Sequence, residues 1–104
     1  MARNKVPAQG RVLILMELNR WKNFSKRQQL LMIGSEFIRA KTWQTKDQEK
    51  FLSALARALE LIDLTISDNK WKNYLRMILG LREEVTKFYT SGCTDDILFL
   101  YNAL

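Results

Sequence analysis

The chain of 104 residues contains no histidine, one cysteine and one proline. Each scarcity removes a class of chemistry or structure. Without histidine there is no Ser–His or Cys–His nucleophile pair. His-containing zinc sites and the Glu-x-x-His di-iron pattern of helical bundles are excluded with it. Cys93 by itself forms neither an intrachain disulfide nor a Cys-only zinc site, which fits a reducing compartment. Gly-rich phosphate loops are absent. Long apolar runs are missing too. Val12 to Met16 extends for five residues before Glu17 interrupts it, too short for a signal-peptide core or a bilayer span. The chain is therefore read as cytoplasmic and without membrane insertion.

Acid is scarce in one half only. Residues 1–46 hold ten Lys or Arg against Glu17 and Glu36, a net +8, whereas residues 47–104 carry −2, for +6 overall. Such an imbalance attracts anions: nucleic acid, an anionic membrane or an acidic protein. Arg20, Lys22, Lys26 and Arg27 surround the first helix junction, and Arg39 and Lys41 end the second helix. In an antiparallel hairpin they form the two ends of a stripe suited to phosphates. Trp43, at a helix end, is the aromatic expected to be partly exposed and to contact a partner. Trp21 and Trp71 lie on apolar stripes and are expected in the core.

What is present is helical patterning. The composition is 47% hydrophobic, too apolar for a disordered basic tail. One domain is expected over residues 1–104, with residues 1–8 as a flexible N-terminus. Capping signals and apolar periodicity predict helices over residues 9–23, 26–42, 46–67 and 70–90, and a short one from Thr94 onward. Ser25 with Gln28, and Thr45 with Gln48, have capping-box spacing. Asp68 and Asn69 offer another cap, and Ser91-Gly92 a stop. Predicted core stripes run through Ile14, Leu18 and Trp21; through Leu30, Gly34, Phe37 and Ile38; through Phe51, Leu55, Ala58, Leu59, Ile62 and Ile66; and through Trp71, Leu75, Ile78, Val85 and Phe88. The fold class is all-α: an antiparallel bundle of four main helices plus a short C-terminal helix. That last segment is apolar almost all round, so it must be buried on its own bundle or on another chain.

Asn19-Arg20-Trp21-Lys22-Asn23-Phe24 is echoed as Asn69-Lys70-Trp71-Lys72-Asn73-Tyr74. The echo reads as a duplicated hairpin or as two solutions to one local problem, a Trp pointing inward with cations on the rim. A helix-turn-helix built on Gly34 wants a small residue four positions earlier and an aliphatic one six later. Leu30 and Ala40 invert that demand, and Gly80 has Arg76 four positions before it. Both glycines are instead expected to permit close helix–helix approach. Glu60, Asp63, Glu83, Glu84, Asp95 and Asp96 show no spacing for acid–base pairs. Glu83 is expected to pair with Lys87, and Asp95 and Asp96 to sit in a helix's first turn. Cys93, in a turn, has no neighbouring base.

Leu13-Ile14-Leu15-Met16 and Ala58-Leu59-Glu60-Leu61-Ile62-Asp63 resemble segments of flagellar export chaperones, small helical bundles that hold an unfolded secretion client. The resemblance covers ten residues. The Tyr-Asp-Gly associated with that family after the first segment is replaced by Glu17-Leu18-Asn19. What the resemblance implies is a bundle with an apolar groove for a partner segment.

The expected function is that of a non-enzymatic interaction module, adaptor- or chaperone-like, with no cofactor and no metal. Its expected partners are a protein, acidic in character, and a second copy of the chain. Self-association is assigned to Ile97, Leu98, Leu100, Tyr101 and Leu104. The alternative is nucleic-acid binding by the basic N-terminal half.

Overall fold

The computed structural model describes residues 17–90 and 95–104. These residues are all-α, with helices packed on one another and no strand among them. Helix α1 is helical over residues 17–22; α2 spans Lys26–Trp43, α3 Gln48–Ile66, α4 Leu75–Thr90 and α5 Leu98–Asn102. A 3-10 helix, Asn69–Tyr74, leads into α4. The apolar run Val12–Met16 at the start of the first expected helix, residues 1–8 expected to be flexible, the expected Ser91-Gly92 stop, Cys93 and the expected start at Thr94 lie outside the described residues.

Local chemistry sets the helix starts. At α2 the capping box forms as its spacing predicts: the Gln28 amide donates to Ser25 Oγ at 3.1 Å, and the Ser25 amide to Gln28 Oε1 at 2.8 Å. At α3 the expectation is corrected. Asp47, not Thr45, is the cap, accepting from the Lys50 amide at 3.1 Å. The Lys46 and Asp47 amides both donate to the Trp43 carbonyl, so Thr45 stays within that turn. A carboxylate at the cap also gains from the helix dipole.

Short connections make α1, α2 and α3 sequential antiparallel neighbours. Trp21 meets Thr65 and Gln29 meets Asp68, so the end of α1, the start of α2 and the end of α3 share one pole. At the other pole the end of α2 meets the lead into α5, through Lys41 and Asp96. Helix α3 is the central element: Phe51, Leu55, Ala58 and Ile62 of its predicted stripe are buried, Leu59 and Ile66 are half-buried, and Ala54, Leu61, Leu64 and Thr65 are buried beside it.

Four expectations are revised. Ile38 is 49% exposed; α2 is rolled so that Gln29, Ile33, Phe37 and Ala40 face inward instead. The fourth helix does not begin at residue 70, because the 3-10 winding comes first. That winding puts residues i and i+3 on one face, so Trp71 enters the core while Tyr74 packs edge-on against it, with ring centroids 5.8 Å apart. Lys87 pairs with Glu84 at 3.2 Å rather than with Glu83. The two glycines also differ. A Cβ at Gly34 meets Tyr101 Cε2 at 3.0 Å and Leu104 Cδ1 at 3.1 Å, whereas one at Gly80 meets nothing within 4 Å. Gly34 therefore does permit close approach, of α5 onto α2. Gly80 does not serve that purpose. Both sit inside helices, not at turns.

Candidate interaction surfaces

A buried polar cluster organises the first pole. Gln29 is wholly buried. Its Nε2 donates to the Trp21 carbonyl at 2.8 Å and to Asp68 Oδ2 at 3.0 Å, while its Oε1 accepts from Trp71 Nε1 at 2.5 Å. Trp21 Nε1 donates to Thr65 Oγ1 at 3.1 Å. Both tryptophans of the echoed motif thus point inward, and Gln29 ties them together. Burial by itself would raise the Asp68 pKa. Hydrogen bonds from Lys70 and Gln29, the Lys70 amide and the Lys70 charge outweigh it and hold the carboxyl below its ordinary 3.8. Among the described residues no buried side-chain nitrogen or oxygen lacks a partner.

Outside this cluster the same pole is cationic. Arg20, Lys22, Lys26, Arg27, Lys72 and Arg76 are exposed there. Lys70 Nζ reaches the Lys22 and Phe24 carbonyls at 3.0 and 2.8 Å and pairs with Asp68 at 2.8 Å. Lys26 Nζ stands 4.7 Å from the Tyr74 ring centroid, a cation–π contact.

The opposite pole behaves differently. Arg39 pairs with Glu36 at 2.8 Å and Lys41 with Asp96 at 3.0 Å. The Leu98 amide and Lys41 both hydrogen-bond Asp96 and hold its carboxyl below the ordinary range. Trp43 is half-buried, as expected for the most exposed tryptophan, but Lys50 Nζ covers its ring at 4.2 Å. The basic residues of α2 do lie at its two ends, yet the stripe is charged at one end and largely neutralised at the other.

The third feature is apolar. Helix α5 lies along α2 over Gly34, held at its start by Gln44, whose Nε2 donates to the Asp95 carbonyl at 2.5 Å and whose Oε1 accepts from the Ile97 amide at 3.0 Å. Ile97 and Leu100 are 0% and 1% exposed within this chain's own core, which corrects their assignment to self-association. Tyr101 and Leu104 remain exposed, Leu98 is half-buried, and Phe99, left out of the expected self-association set, protrudes at 66% exposure. Between α4 and α5 runs a groove of about 210 Å³, walled by Met77, Leu81, Phe99 and Leu104 and opening over Gly80, with Glu84 at its edge. A neighbouring hollow shares Leu30 and Leu104 and is bordered by Leu31, Tyr101 and Arg27. Sequence reasoning missed Met77 and Leu31 because each lies beside the buried stripe of its helix, and only the fold shows them exposed.

Among the described residues no group of three acidic or cysteine side chains converges as metal donors, and no helix is long and apolar enough to cross a membrane. Comparison with protein-family models, with curated proteins and with solved structures gives no match.

Proposed function

We propose that this domain is a non-catalytic interaction module whose α2–α4–α5 apolar face closes on a second copy of the chain. The observation that carries this reading is a protruding apolar knob beside an apolar hollow on one face. Phe99 stands 66% exposed next to the groove over Gly80. A patch holding both knob and hollow is self-complementary: under a two-fold axis each Phe99 enters the partner's groove. Leu31, Met77, Tyr101 and Leu104 extend the patch at 39–59% exposure, and contiguous exposed apolar surface marks an interaction site. The charges at its margins suit the same pairing. Arg27 borders one hollow and Glu84 the other, so a two-fold partner sets unlike charges against each other.

Sedimentation velocity between about 5 and 200 μM tests this. The expected mass is twice the 12.3 kDa chain. Phe99→Glu is expected to sediment as a monomer with an unchanged circular dichroism spectrum. Leu79→Glu, at a position 51% exposed but outside the groove, keeps the dimer. A monomeric wild type across that range overturns the second-copy reading, and a dimeric Phe99→Glu variant moves the interface elsewhere.

A further inference from the structure

The charge asymmetry of the sequence divides the chain at its middle, but the fold divides it by pole. Residues 18–35 and residues 69–82 contain no acid. The first lies in the basic half and the second in the acidic half. Tertiary structure brings the beginnings of both together, because the end of α1, the start of α2 and the 3-10 helix meet around Gln29. Each copy of the echoed motif turns its Trp inward and leaves its flanking cations at the rim. Arg20 and Lys22 come from one copy, Lys70 and Lys72 from the other.

Most of these charges are unanswered. Among the described residues Arg20, Lys22, Arg27, Lys72 and Arg76 have no ion-pair partner. Asp68, the acid within this pole's polar cluster, is buried and already neutralised by Lys70. The first turn of α2 carries Lys26 and Arg27 and no acid, an arrangement the helix dipole disfavours. Like charges gathered against local preference are stabilised by a polyanion. The other pole, with Arg39 and Lys41 paired, offers no such demand.

We infer that this pole is a sequence-independent binding site for the phosphate backbone of single-stranded nucleic acid. Several separated cations, rather than one pocket, match a phosphate track. Tyr74, 45% exposed between Lys26 and the 3-10 cations, adds an aromatic surface of the type on which a base stacks. That aromatic favours a nucleic acid over an acidic peptide. The inference is independent of the dimer reading, since the groove is walled by other residues; only Arg27 borders both surfaces.

The test is fluorescence anisotropy of the full chain with a labelled mixed-sequence oligonucleotide of about 20 nucleotides, from about 50 to 200 mM salt, with poly-glutamate as the competing polyanion. The perturbing variant combines Arg20→Gln, Lys22→Gln, Lys72→Gln and Arg76→Gln, leaving Arg27 and the Lys26 ring contact in place. Each phosphate contact contributes about 0.7 to the log–log salt slope of a single strand, so four contacts give a slope near −3. The expected result is a slope of at least that size for the wild type, and for the quadruple variant at least a tenfold loss of affinity at low salt and a slope flatter by about 3. Lys46→Gln, at the opposite pole, binds as the wild type does. Circular dichroism of the variants confirms the fold. No binding at low salt, a salt-independent affinity, unchanged binding by the quadruple variant, or equal competition by poly-glutamate per unit charge overturns the inference.

Discussion

Replacing Gln29 by Leu tests whether the buried polar cluster holds the first pole together. The substitution keeps a branched end, shortens the side chain by one bond and removes three hydrogen bonds. The Trp21 carbonyl retains the Phe24 amide at 3.0 Å, and Asp68 retains Lys70 at 2.8 Å. Trp71 Nε1 has only Gln29 as its acceptor, so the indole N–H is left orphaned in the core. An orphaned donor costs about 1–3 kcal/mol, the bond to the charged Asp68 about 1.5–3 and the neutral bond to Trp21 about 1. Burying a leucine returns about 1.5–3 kcal/mol. The net loss is about 2–4 kcal/mol, a large fraction of the stability of a domain this size. In thermal melts it is a drop on the order of 10–20 °C. Urea titration followed by tryptophan fluorescence and by circular dichroism measures it, with the two probes coinciding if unfolding is two-state. A Gln29→Leu variant within about 0.5 kcal/mol of wild type refutes the reasoning.

Gln29→Glu separates electrostatics from packing. The introduced carboxyl lies buried beside Asp68, so its pKa in the folded state is raised above the ordinary value of about 4.3. Protonated, it still donates one bond and accepts from Trp71. A group with a raised folded pKa contributes stability below its unfolded pKa and loses it as pH climbs through the folded value. The deficit of this variant relative to wild type is therefore expected to grow from pH 5 to pH 7. Wild-type Asp68 has the opposite sign. Its pKa is depressed below 3.8, so its contribution is present above that value and disappears as pH falls through the lower, folded value. The two dependences therefore fall in different windows, and a pH-independent deficit rules out the like-charge account.

Gly80→Ala is expected to stabilise the chain by about 0.5–1 kcal/mol in urea titrations, because a Cβ there meets nothing within 4 Å and α4 gains helix propensity. Leu100→Ala, at a position 1% exposed, is expected to cost about 2–5 kcal/mol. Phe99→Glu, one residue away and protruding, changes monomer stability by no more than about 0.5 kcal/mol. Equal losses at the two positions, measured by urea titration at concentrations where the chain is monomeric, contradict the placement of α5.

The helices and much of the core were legible because they follow from period and capping. Ser25 with Gln28 is a local signal that acts within one turn. Phe51, Leu55, Ala58 and Ile62 repeat at spacings only a helix brings to one face. Trp21 and Trp71 were legible as core for the same reason. The errors share a different cause. Gln29 reads as a surface residue, since its burial depends on partners up to 42 residues away in the chain. Once it is buried, α2 rolls and Ile38 turns outward. Asp47 replaces Thr45 as a cap because the preceding turn closes on the Trp43 carbonyl, a difference of one hydrogen-bonded loop. The C-terminal segment looked uniformly apolar, and only its docking over Gly34 separates the buried Ile97 and Leu100 from the protruding Phe99.

Composition and period thus determined on their own that this chain forms amphipathic helices, excludes histidine chemistry and carries surplus positive charge. Those properties are sums or local repeats, and they do not depend on which helix meets which. Where the charge acts, which apolar side chains face water and which polar side chain sits in the core were decided by tertiary contact alone. Lys72 and Arg76 belong to the half of the sequence with net negative charge, yet they stand at the cationic pole because α4 begins where α1 ends. Coulomb interactions and burial depend on distance in space, and only the packing of the helices sets that distance.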